Sequence, residues 1–442
     1  MDLDFEKHSK RRKTKVEDDP QTTGMELLPR EIAHDILSRL PITSLMQFKC
    51  VCRPWRALVQ DPQLVNLYLC CSTQDTDHPC LILHCDVPIR NNLYFVDFAA
   101  PEEEKEKVKR IPAPFSSMMP EFEVVGSCNG LLCLSDSLYN DSLYIYNPFT
   151  GSYTELPKSL QYPDQEVVFG FGFSPKTQEY KVIRIVYYRN GHGGYPRSRR
   201  IIYPLSEVQI LTVGCHVWRS LGKVSYRLVR RTSEALVNGR LHWVSRPCRN
   251  KPARRLVSFD LTDEQFREVP KPDCGGLNRR NYHLVVLSGC LSAAVYCNYG
   301  RLEIWVMKEY DVKESWVKKY NIGTYMPKGL KKNLDRPLKL WKNASNGRVV
   351  RALCVWKNDE VLLEYKNRVL VSYDPKTGQF KDIELQGKPN WFQTVVHVGS
   401  LNGIDTPTDA YNQGLGTSPY GKLITPCTET KSCFCVSCLN SH

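Results

Sequence analysis

Three stretches of this chain repeat one local plan: a strand, a turn that opens on Asn or Asp, and a returning strand. Asn129-Gly130-Leu131-Leu132-Cys133 resembles Asn238-Gly239-Arg240-Leu241-His242-Trp243. The first is followed by Tyr146-Asn147-Pro148-Phe149-Thr150-Gly151, the second by Phe259-Asp260-Leu261, and a third copy ends in Tyr373-Asp374-Pro375-Lys376-Thr377-Gly378. Ile304-Trp305-Val306 and Val217-Trp218-Arg219 look like weaker versions. Units of about 50 residues built from antiparallel strands suggest propeller blades, each of which needs its neighbours to bury its faces. The spacing is uneven, so the number of blades is not readable.

The surrounding pattern agrees. Short apolar runs fall at 80–85, 93–98, 131–134, 143–146, 180–188, 206–211, 241–244, 256–259, 302–307, 352–355, 360–365 and 369–373. Asn-Gly pairs at 129–130, 190–191, 238–239 and 346–347 punctuate them. A further short run falls at 284–287; the longer apolar stretch 284–297, interrupted by Ser288, Gly289 and Ser292, reads as buried strand, and 391–398 is the last apolar run. No long amphipathic helix is evident. Residues 80–398 are therefore expected to form one large antiparallel, all-β, irregular propeller-like domain.

The chain begins differently. Residues 1–24 are polar and form a mixed basic and acidic tail, expected to be disordered. Its Arg11-Arg12-Lys13 core resembles a nuclear-import signal, with a solvated tail as the plainer reading; nucleus and cytoplasm both stay open. Residues 25–69 then show helical spacing: Ile32, Ile36, Leu37 and Leu40 share one face, and Pro41 stops that helix. Ser44-x-x-Gln47 has capping-box spacing for a second helix, Pro54 starts a third, and Asp61-Pro62 caps a fourth. So small a module cannot hide all its large apolar side chains, and the surplus needs a partner. The fold class is α+β multidomain: three to four short helices, then the β domain.

Leu28-Pro29-Arg30-Glu31-Ile32, Ile36-Leu37-Ser38-Arg39-Leu40-Pro41 and Val51-Cys52-Arg53-Pro54-Trp55 occur in order and resemble an F-box. Gly126-Ser127-Cys128-Asn129-Gly130-Leu131, Tyr146-Asn147-Pro148, Phe169-Gly170-Phe171-Gly172 and Val237-Asn238-Gly239-Arg240-Leu241-His242-Trp243 resemble the F-box-associated, kelch/β-propeller-like domain of plant-type F-box proteins. The resemblance implies a non-catalytic substrate-recognition subunit of a Skp–cullin–F-box ubiquitin ligase. It would bind a Skp-type adaptor and, through it, cullin and RING subunits. An F-box scaffold acting outside a cullin complex is the alternative. By position, the resemblance puts Leu28, Pro29, Ile32, Ile36, Leu37, Leu40, Pro41, Leu45, Val51, Cys52 and Trp55 at the adaptor interface. Some of them must instead hold the helices to one another.

Charge marks a second candidate surface. The net charge is +13, and residues 184–255 alone carry 16 Lys or Arg against Glu207 and Glu234. Arg199, Arg200, Arg230, Arg231, Arg254 and Arg255 are candidates for a basic face that takes an acidic or phosphorylated target. Nucleic acid is the weaker reading, and scattered solvated charge the plainest.

Other chemistries find less support. The histidines show no H-x-x-x-H or H-E-x-x-H spacing, and His216, His242 and His283 read as core or edge residues of strands. Phe169-Gly170-Phe171-Gly172-Phe173 lacks the Lys-Ser/Thr of a phosphate loop and reads as a strand with close-packed glycines. Eighteen cysteines without a secretory signal read as reduced thiols, mostly small buried hydrophobes such as Cys128, Cys133, Cys215, Cys290, Cys297 and Cys354. Residues 399–442 read as a flexible tail; its Cys427, Cys433, Cys435 and Cys438 do not match a two-knuckle zinc pattern. No metal, no cofactor and no membrane span are expected, so the protein is read as soluble and intracellular.

Overall fold

The computed structural model describes residues 28–74, 80–85, 89–98, 107–139, 141–189, 205–228, 235–246, 254–274, 282–297, 301–331 and 350–403. Four helices come first: α1 (Arg30–Ser38), α2 (Ile42–Phe48), α3 (Arg53–Val59) and α4 (Pro62–Gln74). Proline sets three of their starts. Pro29 and Pro41 take extended N-cap conformations before α1 and α2, and a proline stands in the first turn of α3. Helix α2 therefore opens at Ile42, ahead of the Ser44 cap expected to open it, and Ser44 lies inside it without capping it. Asp61 does cap α4, its Oδ1 accepting from the Gln63 amide at 2.9 Å.

The strands build six four-stranded antiparallel sheets. The first contains β1 (Cys80–Cys85), β2 (Leu93–Val96) and β3 (Val108–Ile111). The second is β4 (Phe122–Cys128), β5 (Leu131–Asp136), β6 (Leu143–Tyr146) and β7 (Tyr153–Glu155). The third is β8 (Glu166–Ser174), β9 (Glu179–Tyr188), β10 (Leu205–Thr212) and β11 (Arg219–Gly222). The fourth is β12 (Ala235–Val237), β13 (Arg240–Val244), β14 (Leu256–Asp260) and β15 (Phe266–Val269). The fifth is β16 (Tyr282–Leu287), β17 (Cys290–Tyr296), β18 (Leu302–Met307) and β19 (Trp316–Ile322). The sixth is β20 (Val350–Trp356), β21 (Glu360–Tyr365), β22 (Val369–Tyr373) and β23 (Phe380–Ile383). The last strand, β24 (Phe392–His397), returns to pair with β1 as the inner strand of the first sheet. The architecture is a six-bladed antiparallel propeller whose first blade is completed by its final strand.

The repeat has a simple physical basis. Asn129-Gly130 and Asn238-Gly239 join the first and second strands of their blades with φ of 49° and 82°, and 51° and 69°. Such two-residue turns match the twist of paired strands, and Asn and Gly tolerate the left-handed region. The Asn147, Asp260 and Asp374 turns join third and fourth strands; each side chain accepts backbone N–H groups two or three residues ahead. A third left-handed pair, Ser288-Gly289, turns between the strand expected at 284–287, which is β16, and β17.

The glycines of β8 act by size. A Cβ at Gly170 would lie 2.8 Å from Trp243, and one at Gly172 2.8 Å from Leu236, so the third and fourth blades close only over bare backbone. Ring closure has its own brace: Glu364 of the sixth blade is buried, takes Arg351 at 3.0 Å and accepts the Thr394 amide of β24 at 2.6 Å.

Of the cysteines expected inside strands, Cys128, Cys133 and Cys354 are buried, but Cys215 is exposed, and its neighbour His216 lies exposed in the turn after β10 rather than in a strand. The segment after β24, expected to be flexible from 399, is packed at its start: Gly399, Ser400 and Leu401 are buried.

Candidate functional site

Helix α1 has two faces. Ala33 and Leu37 point inward, and Leu45 of α2 is fully covered. Leu28, Ile32 and Ile36, each four residues from the next, form an outward stripe with 39%, 50% and 44% exposure. Val51, in the turn between α2 and α3, is 63% exposed, and Pro29 and Pro41 are exposed too. Leu40, Cys52 and Trp55 are half-buried; the Trp55 ring sits 4.6 Å from that of Phe48. The eleven residues named from sequence thus divide by position: Leu37 and Leu45 hold the helices together, three sit at the margin, and six face outward.

Polar groups lock the inward side. Arg30 Nη2 meets Asp61 Oδ2 at 2.7 Å, and His34 Nε2 approaches the same oxygen at 3.3 Å, tying α1 to the start of α4.

The module is seated on one face of the propeller. Its core of Leu37, Ile42, Leu45, Val59, Leu64, Val65 and Tyr68 also contains Leu401, with Phe149 packed against it. A Cβ at Gly399 would lie 3.0 Å from Ile42. Asn147 is fully buried, and its Nδ2 donates to the carbonyls of Ser400 at 3.0 Å and Asn402 at 2.8 Å. Sequence reasoning took Asn147 for a turn residue and passed over Leu401; an isolated Leu after the last strand was the only available signal.

Within each blade the strands alternate in direction, so first-to-second and third-to-fourth connections emerge on one face. The helical module sits on that face, against Phe149 and the end of β24. Second-to-third connections and blade-to-blade linkers emerge on the opposite face. A cavity of about 800 Å³ is lined by inner-strand residues such as Val125, Val285 and Thr394 and, at the module's end, by residues from Ser38 to Thr43.

Of the basic candidates, Arg254 and Arg255 lie on the face away from the module. Arg254 and Arg255 precede β14, where Arg255 pairs with Glu268. Arg199, Arg200, Arg230 and Arg231 lie outside the described residues, as do residues 1–24 and Cys427, Cys433, Cys435 and Cys438. Much of the other positive charge of 184–255 is already matched. Arg184 is fully buried among the Leu160 carbonyl and Gln161, Gln165 and Gln209, and burial pushes its guanidinium down to about 10. Arg227 and Arg246 share Glu166, Arg240 pairs with Asp260, and Arg219 with Glu264.

The buried histidines are structural. His242 bonds the Ala235 carbonyl and the Tyr310 hydroxyl, and His283 accepts the Ala352 amide at 3.2 Å. Among the described residues, no cluster of three His, Cys, Asp or Glu side chains could hold a metal, and no helix is long and apolar enough to cross a membrane.

A helical module with an uncovered apolar stripe, seated on a six-bladed propeller, defines the class of F-box proteins whose second domain is a propeller. The chain belongs to the family of the F-box associated beta propeller domain, whose model matches residues 81–440, while an F-box-like model matches residues 25–66. It is 58% identical to F-box protein At3g07870 of Arabidopsis thaliana over 90% of this chain and 98% of that one. It is 29% identical to F-box/kelch-repeat protein At3g23880 over 67% and 79% of the two chains, and 28% identical to F-box protein CPR1 over 85% and 89%, both from the same plant.

Proposed function

We propose that this protein is the substrate-recognition subunit of a Skp–cullin–F-box ubiquitin ligase. The stripe of Leu28, Ile32 and Ile36 carries this reading: it is apolar, exposed and left bare by the propeller that covers the opposite side of the module. The stripe docks a Skp-type adaptor, which links to cullin and RING subunits. The propeller holds a target protein, and the rate of ubiquitin transfer then comes from proximity.

The face away from the F-box is the one free to take a target. Five of the exposed large apolar side chains, Ile89, Met118, Leu138, Tyr139 and Leu160, belong to its connections in the first three blades. Arg254 and Arg255 of the fourth blade lie there as well.

Co-purification tests the reading. Wild-type protein should retain a Skp-type adaptor, and Ile32→Glu with Ile36→Glu should lose it. A double variant that still holds the adaptor would refute the interface. Adaptor binding without cullin, together with a target whose turnover ignores the protein, would favour the scaffold alternative.

A further inference from the structure

A cluster of three cations lies where the sixth blade meets the first, on the face away from the F-box. Lys366 and Arg368 flank Asn367 in the turn between β21 and β22, and Lys388 lies in the linker between β23 and β24. Lys388 Nζ donates to the Arg368 carbonyl at 2.7 Å, and the Phe392 amide donates to the Asn367 carbonyl at 2.7 Å, so turn and linker are locked together beside the start of β24.

Among the described residues, none of the three cations has a carboxylate partner, in contrast to Arg219, Arg227, Arg240, Arg246 and Arg255. They burden one another instead. Partial burial, and then the charge of Arg368, hold both lysine ammonium groups below their usual range. The guanidinium carbon of Arg368 lies over the Trp391 ring, 3.5 Å from its centre, and its buried Nε has no hydrogen-bond partner. The backbone is strained at the same place. Lys366 and Asn367 have φ of 47° and 57°, a pair that suits Asn-Gly and that a lysine enters only at a cost.

We propose that Lys366, Arg368 and Lys388 form a phosphate-binding site that takes a phosphorylated serine or threonine of the target protein. Arg368, held by Trp391, offers its fork to two phosphate oxygens, and the lysines supply point charges on either side. A dianion would relieve the repulsion among the three cations. This site is separate from Arg254 and Arg255 of the fourth blade. The proposal rests on the target-recognition reading and supplies the chemistry that the target must present.

The test uses the full chain co-expressed with a Skp-type adaptor, so that adaptor retention reports on the F-box independently. Pools of degenerate peptides centred on phosphoserine or phosphothreonine are compared with the same pools unphosphorylated. The phosphorylated pools should be retained at least ~10-fold better at low salt, and the advantage should shrink as salt rises. Lys366→Glu, which leaves the Arg368–Trp391 stack and the Lys388 bond alone, should erase the preference while adaptor and melting temperature stay unchanged; Lys388→Glu, which also removes the bond to the Arg368 carbonyl, should lower the melting temperature somewhat and erase the preference too. Arg368→Gln should do the same. Equal retention of both pools, or a preference that survives all three variants, would overturn the site. So would binding of inositol hexakisphosphate, lost in the same variants, with no preference for phosphopeptides. Loss of the adaptor from the wild-type chain would count against the ligase reading alone.

Discussion

The side-chain amide of Asn147 donates to the backbone carbonyl of Ser400 across 253 residues of sequence, and with the Asn402 carbonyl it fixes the segment that carries Leu401 into the F-box core. One buried amide thus joins the second blade, the ring-closing strand and the helical module.

Replacing Asn147 with Ala should therefore unseat the F-box as well as weaken the propeller. Two buried carbonyls lose their donor, at about 1–3 kcal/mol each. The expected outcome is a lower denaturation midpoint and faster amide exchange in α1 and α2. Leu401→Asp should reproduce the exchange change with a smaller effect on the blades. Unaltered exchange in α1 and α2 in both variants would contradict this coupling.

Substitutions in the F-box should separate into two kinds. Ile32→Glu and Ile36→Glu remove exposed apolar surface, so adaptor binding should fall by at least ~2 kcal/mol while melting stays within a degree or two. Leu37→Ala and Leu45→Ala open cavities in a core and should cost about 2–5 kcal/mol of module stability. Trp55→Ala should show a mixed effect, because its ring also packs on Phe48. Calorimetry paired with adaptor titration distinguishes the outcomes.

Gly170→Ala should destabilise the propeller by about 1–3 kcal/mol. The added methyl would meet Trp243 and Leu241 of the next blade at 2.8 and 2.9 Å. Gly151→Ala is the natural control: that glycine has open space around it but φ of 74°, so its cost is backbone strain alone. Urea midpoints for the two variants would show whether contact or strain dominates.

Two buried histidines predict acid sensitivity. Burial pushes His397 down to about 3 and His242 down to about 4, against about 6.5 in an unfolded chain. The unfolded state binds the extra protons, so stability is complete above about pH 6.5. It declines as pH falls through the range toward about 4 and then about 3. Together the loss should reach a few kcal/mol. His397→Gln, which can still reach the Ser127 hydroxyl, should flatten part of the slope. A midpoint that does not change between pH 7 and 5 would contradict the assignment.

The sequence exposed the second and third strands of the blades best, because neighbours cover both sides of them. β5, β6, β14 and β22 are buried along their whole lengths and read as mainly apolar runs. The outer strands carried a weaker signal. β3, β7 and β15 read Val-Lys-Arg-Ile, Tyr-Thr-Glu and Phe-Arg-Glu-Val, half-exposed edges; β7 and β15 were legible only as the returning strands after the Asn147 and Asp260 turns, and β3 not at all. The inner strand β12 is only three residues long. The number of blades was hidden because the long segments 190–204 and 332–349 stretch the period. In the F-box, the sequence put Ile32, Ile36, Leu37 and Leu40 on one face, whereas Leu37 is buried and Ile32 and Ile36 are exposed; inner and outer members of the motif could not be separated without Leu401 and Phe149. The basic stretch was misleading as a sum, since its partners Glu166, Asp260, Glu264 and Glu268 are scattered along the sequence.

Because β24 is both the last strand and the inner strand of the first blade, the molecule is assembled out of order. As the chain leaves the ribosome, β1 to β3 must wait beside an unfinished ring until almost the whole polypeptide has been made. The F-box core waits with them, since Leu401 follows directly after that strand. A nascent chain cut short before this point would carry every F-box helix yet could not seat them. Synthesis is thereby coupled to competence: only a protein translated past its final blade can present its docking helices in a fixed orientation to the target it carries.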